Sequence, residues 1–145
     1  RNLVPKVIVE PIVFGGRPHL EFKAFCWNGR PLLYFSQTGQ GRTRRRVLYD
    51  ADWRELNFSL GVPKLEVRSP LPLRATDITA LAAKLSAPFN FIRVDFYSDG
   101  EGLFVGELTS CHGSANQAFI PRGAELEASR LLFLTKGLRQ HLPRH

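Results

Sequence analysis

The sequence predicts an α+β fold: an antiparallel β-sheet with helices packed on one side. Three observations carry this. Turn signals at Asn28-Gly29 and at 99–102 (DGEG) each separate two strand-like stretches. Residues 77–87 repeat their apolar positions with a helical period. The order of elements, strands then helix then hairpin then helix, is that of an antiparallel sheet with its helices set apart from it.

Each element has its own reason. Residues 6–13 (KVIVEPIV) are β-branched and read as a strand, with Pro11 confining the second half to an edge. FGGRP at 14–18 is a turn. Residues 19–27 alternate, with Leu20, Phe22, Ala24 and Cys26 on one face and Glu21, Lys23, Phe25 and Trp27 on the other. Residues 31–37 form the returning strand, and 39–46 (GQGRTRRR) a basic loop leading into a short apolar stretch, VLYD. Residues 61–74, with Pro63, Pro70 and Pro72, read as an extended connection. Thr76 is placed to cap a helix over 77–87, in which Ile78, Leu81, Ala82 and Leu85 share a face and after which Pro88 stops the chain. Strands at 89–98 and 103–110 flank the DGEG turn, and a second helix over 124–141 offers Leu126, Phe133 and Leu134 for packing.

The 145 residues suit a single domain, 1–145, with enough apolar content (43%) for a core without disulfides. Cys26 and Cys111 form no CxxC pair, and a reducing cytoplasm is the simpler setting. No apolar run approaches the ~18 residues that span a bilayer. The formal charge of +7 favours anionic partners without choosing among them. The chain lacks Met and opens at Arg1 almost directly into a strand pattern, so the expectation is a piece of a longer chain whose missing part lies mainly upstream.

The hairpin at 90–109 carries the chemistry. A turn centred on Glu101 sets Asp95 opposite Glu107, Val94 opposite Leu108 and Arg93 opposite Thr109. One face (Ile92, Val94, Phe96, Phe104, Leu108) then reads as core, and the other holds Arg93, Asp95, Glu107 and Thr109. Two carboxylates about 5 Å apart at an effective dielectric near 20 repel by about 3 kcal/mol. Either a cation sits between them, with Mg²⁺ suited to few hard oxygen ligands plus phosphates, or Arg93 neutralises the pair in an ordinary ion-pair cluster. At the start of the chain, Glu10, Glu21 and Lys23 are expected near one another across two strands; taken alone, they read more simply as a solvated strand face.

At these residues the sequence resembles the ATP-grasp proteins. VIVEPIV followed by EFKAF is similar to the hinge and following strand that hold adenine and ribose, and IRVDFYSDGEGLFVGELTSCHG to the metal-binding hairpin. FKAFCWNGRP, YDADW, FIRVDFYS and GELT resemble the TupA-like ATP-grasp group, associated with teichuronopeptide and other cell-surface polysaccharide biosynthesis. The resemblance spans residues 6–123 and implies roles. Glu10 would stand at the adenine hinge with Ile12 and Val13 giving backbone contacts, Glu21 on the ribose side, and Lys23 facing the nucleotide. Asp95 and Glu107 would hold Mg²⁺, joined by Thr109 where many relatives place Asn, and Arg93 would stabilise the transferring phosphoryl group. Ser110 and His112 depart from the family's usual Phe and Pro.

The implied activity is an ATP- and Mg²⁺-dependent carboxylate–amine ligase acting through an acylphosphate on an acidic small molecule or polysaccharide precursor. A second lobe, from the missing N-terminal part of the same chain, would supply phosphate-binding lysines, so the 145 residues alone are expected to be inactive. Two other readings stay open: a non-catalytic ATP-grasp-like domain binding an acidic glycan, and a basic module binding nucleic acid or another anionic polymer through Arg42, Arg44, Arg45 and Arg46. The latter run reads more simply as a solvated loop, which makes nucleic acid the weaker partner. Tyr34, Phe35, Tyr49 and Trp53 near it read as core, His112 as polar surface, and Cys111 lacks the general base a nucleophile needs.

Overall fold

Asn28 and Gly29 both take left-handed backbone, with φ of 49° and 72°, the conformation of a two-residue hairpin loop. That turn folds β1 (Leu20–Trp27) onto β2 (Arg30–Thr38), and β3 (Arg45–Asp50) pairs beyond β2. The computed structural model describes residues 7, 9–16, 18–39, 41–66 and 73–133. β5 (Phe91–Ser98) pairs antiparallel with the free edge of β1, and β6 (Leu103–Thr109) closes the sheet in the order β3-β2-β1-β5-β6. A small antiparallel ribbon joins β4 (Ser59–Leu60) to β7 (Phe119–Ile120). The helices are α1 (Ala75–Ser86) and α2 (Ala124–Phe133).

The α+β class and antiparallel sheet are as expected, but the helices lie on opposite faces rather than one side. α1 packs Ile78 and Ala82 against Phe22, Ala24, Cys26, Tyr34, Val94 and Phe96. On the other face Ala128 of α2 joins Phe25, Leu33, Phe35, Leu48, Phe58 and Leu60, with Phe119 of β7 packed alongside. The physical reason is the strand pattern itself. Phe25 and Phe35 are large apolar side chains on the face opposite Phe22 and Tyr34, so both faces need cover. Each ring removed from water contributes about 2 kcal/mol.

Several local expectations are corrected. Among the described residues between Val7 and Val13 there is no strand; Val13–Gly16 form a 3-10 turn, and Val9 and Ile12 are exposed. α1 begins at Ala75, so Thr76 lies inside it, and Arg74 at the cap position makes no side-chain cap bond. Phe104 and Leu108, read as core, are 48% and 43% exposed: past Asp95 the register shifts and sets Phe104 opposite Tyr97, on the face of the acids, while Leu108 stands on the edge strand beyond the strands α1 packs on. Leu126 is exposed; Leu134 and the expected helix beyond Phe133 lie outside the described residues, as do Pro70 and Pro72.

Candidate functional site

The α2 face of the sheet is divided. Its Phe25–Phe35–Phe91 end is covered by α2 and the β4–β7 ribbon. The rest carries polar side chains that run across all five strands. Arg46 Nε on β3 donates to Gln37 Oε1 on β2 at 3.0 Å, and Gln37 Nε2 donates to Glu21 Oε2 on β1 at 3.4 Å. Lys23 lies 3.8 Å from Glu21 and forms an ion pair with Asp95 on β5. Arg93 Nη2 donates to Asp95 Oδ2 at 2.7 Å, to Glu107 Oε1 at 3.0 Å and to Thr109 Oγ1 at 3.0 Å. Thr109 Oγ1 in turn donates to Glu107 Oε1 at 2.6 Å. Asp95 is bracketed by Lys23 and Arg93, and Arg93 also reaches Glu107, which answers the repulsion that Asp95 and Glu107 would otherwise suffer.

The expected register holds at the acids: Asp95 pairs with Glu107, Val94 with Leu108 and Arg93 with Thr109. Toward the turn it shifts, with Phe96 opposite Val105 and Tyr97 opposite Phe104, leaving Gly106 as a bulge. Glycine is required there. A Cβ at 106 would lie 2.5 Å from the Tyr97 ring. Tyr97 pairs with Glu21 across β1–β5; burial, then Glu21, Asp95 and Glu107, push its phenol pKa up, so the field of all three carboxylates converges on that ring. Asp95 and Glu107 differ sharply in depth, their side chains being 3% and 60% exposed.

Not every candidate joins this cluster. Glu10 and Ile12 are exposed and no strand carries them toward Glu21 and Lys23. Val13 begins the turn whose next residue, Phe14, packs edge-on against Phe104 at 5.0 Å between ring centroids, beside the same sheet face. Gln37, Arg46 and Gln117 were not legible as site neighbours. Arg46, read as part of a solvated loop, is buried: it donates to the Leu60 carbonyl and to Gln117 Oε1 (3.1 Å) and lies over the Phe35 ring. Burial pulls its pKa down to about 10, so it stays charged at neutral pH. Its partner Gln37 directly across β2–β3 was the one signal available. His112 is half-buried, its ring meeting Phe25 at 4.6 Å.

The donor set suits a hard divalent cation. A single atom, Arg93 Nη2, touches oxygens of Asp95, Glu107 and Thr109 at 2.7–3.0 Å, so the three oxygens face one point from both strands and would have to draw closer to it to hold Mg²⁺. Among the described residues no three His, Cys, Asp or Glu come together; two carboxylates completed by phosphate oxygens is how magnesium is often held.

A family model described as TupA-like ATPgrasp matches residues 1–129. The chain belongs to the TupA-like ATP-grasp family. Membership brings an ATP-dependent, ligase-like role and, in general, nucleotide binding with a divalent metal. No curated protein and no solved structure matches this TupA-like chain. No helix among the described residues of the TupA-like domain is long and apolar enough to cross a membrane.

Proposed function

We propose that the chain is the metal-binding part of a cytoplasmic ATP- and Mg²⁺-dependent carboxylate–amine ligase that modifies a cell-surface polysaccharide or its precursor. The observation that carries this reading is the pairing of Asp95 with Glu107 on one open sheet face, with Arg93 between them and Lys23 beside them. Asp95 and Glu107 would hold Mg²⁺, with Thr109 as a weaker third ligand. When bound, the ion neutralises charge that builds on the phosphoryl group during transfer.

Arg93 and Lys23 would hold the γ-phosphoryl group in line with the substrate carboxylate. The carboxylate attacks the γ-phosphorus and ADP leaves; an amine then attacks the acylphosphate carbon, loses a proton and displaces phosphate to form the amide. Glu21 would take the ribose side, and Glu10, Ile12 and Val13 the adenine hinge, as the family resemblance implies. A second lobe closing over the polar face completes the site, so the 145 residues alone are expected to bind nucleotide but couple little. The burial of Arg46 weakens the competing basic-module reading, since it withdraws one charge of the arginine run from solvent.

Titration calorimetry of the chain with ATP, with and without Mg²⁺, tests this. The expected result is Mg²⁺-dependent binding that weakens tenfold or more in Asp95→Asn. Binding that ignores Mg²⁺ and collapses with added salt would instead mark a polyanion-binding surface.

A further inference from the structure

A cavity of about 260 Å³ opens where the polar ladder meets the apolar half of the same sheet face. Its walls are Phe25, Leu33, Phe91, Phe119 and Leu132, and its polar groups are His112 and Gln117. It adjoins the charged cluster through the sheet itself: Phe25 pairs with Arg93 across β1–β5, and Phe91 lies two residues before Arg93 on β5. A space of about 150 Å³ already holds a benzene ring in a protein interior, so this one admits a substituted ring or a branched chain.

The polar groups are held in place. Gln117 lies between two glycines with positive φ, and a Cβ would come 3.0 Å from its Cδ at Gly61 and 2.7 Å at Gly113. Its Oε1 accepts from Arg46 Nη1 at 3.1 Å, which fixes the amide and leaves Nε2 as the donating end. His112 stands against the Phe25 ring. Burial, then Arg93 and Arg46, lower its pKa against the opposing Asp95, so two guanidiniums and one carboxylate bear on this ring.

We infer that this cavity binds the apolar body of the ligase's acid substrate, a compact aromatic or branched aliphatic carboxylic acid, with its carboxylate turned toward Gln117 Nε2, His112 and Arg93. A wholly polar acid would leave the apolar walls uncovered, and an amine of the same shape would meet Arg46 and Arg93 with like charge. The inference rests on the proposed ligase reading and specifies its acid.

The test uses three probes on the chain, followed by calorimetry or by amide chemical shifts: 3-phenylpropanoate, acetate and 2-phenylethylamine. The expected result is saturable binding of 3-phenylpropanoate at least tenfold tighter than of either other probe. Leu132→Trp, which fills the cavity, and Gln117→Glu, which keeps the acceptor for Arg46 but removes the donor, each weaken it tenfold or more. Absence of saturable binding, equal affinity for acetate or for the amine, or indifference to Gln117→Glu in a folded variant overturns the assignment. Mg²⁺-ATP binding in the same samples separates the two readings. If ATP binds and 3-phenylpropanoate does not, the cavity assignment falls alone. If 3-phenylpropanoate binds as described and ATP does not, the cavity stands as an acid-binding site and the ligase reading falls.

Discussion

Arg46 carries a full charge into the seam between the sheet and the β4–β7 ribbon, where three carbonyl oxygens receive it: Gln37 Oε1, Gln117 Oε1 and the Leu60 main chain. Removing the guanidinium leaves all three without that donor. Arg46→Met should therefore cost about 2–3 kcal/mol in urea denaturation, and Arg46→Lys should recover only part of it, since a single ammonium lacks the planar fork that spans them. The two thiols separate on the same grounds of depth. Cys26 is buried, and burial pushes its pKa up to about 11, whereas Cys111 is exposed. A thiol reagent at pH 8 should modify one cysteine promptly, identified by mass spectrometry as Cys111, and the second only on unfolding.

At the scale of elements, the β1–β2 turn is held by backbone conformation and by a neighbour. Gly29 has φ of 72°, and a Cβ there would approach Ala87 Cα at 3.1 Å. Gly29→Ala should lower stability by about 1–2 kcal/mol, read as a fall in melting temperature. The turns at 28–29 and 99–102 and the Asp95–Glu107 pairing were legible because each is set by a few adjacent residues. What escaped is set by distant ones. The β4–β7 ribbon has two residues per strand, too few to show an alternation, and exists because Phe58, Leu60 and Phe119 share one core with α2. The stretch KVIVEPIV has strand composition, but among its described residues no partner strand pairs with it, and composition alone does not make a sheet. The bulge at Gly106 was invisible for a related reason: it answers to the Tyr97 ring, nine positions away.

For the molecule as a whole, covering both sheet faces has brought His112 against the apolar half of one of them. Burial first, then Arg93 and Arg46, hold its pKa below the ordinary 6.5. The folded value lies below the unfolded one, so its contribution to stability is complete above about pH 6.5 and drains away as pH falls through the folded value. Melting temperature should drop between pH 7.5 and pH 5, and His112→Asn should flatten that drop. On the α2 face the carboxylate pair lies outside the part that α2 and the β4–β7 ribbon cover, and the pair is graded in depth: Glu107 is 60% exposed and Asp95 3%. On the proposed reading the two acids act at different moments. The exposed Glu107 would govern capture of the ion, and Asp95, buried between Arg93 and Lys23, its retention. Neutralising the first should slow association in stopped-flow records; neutralising the second should hasten escape.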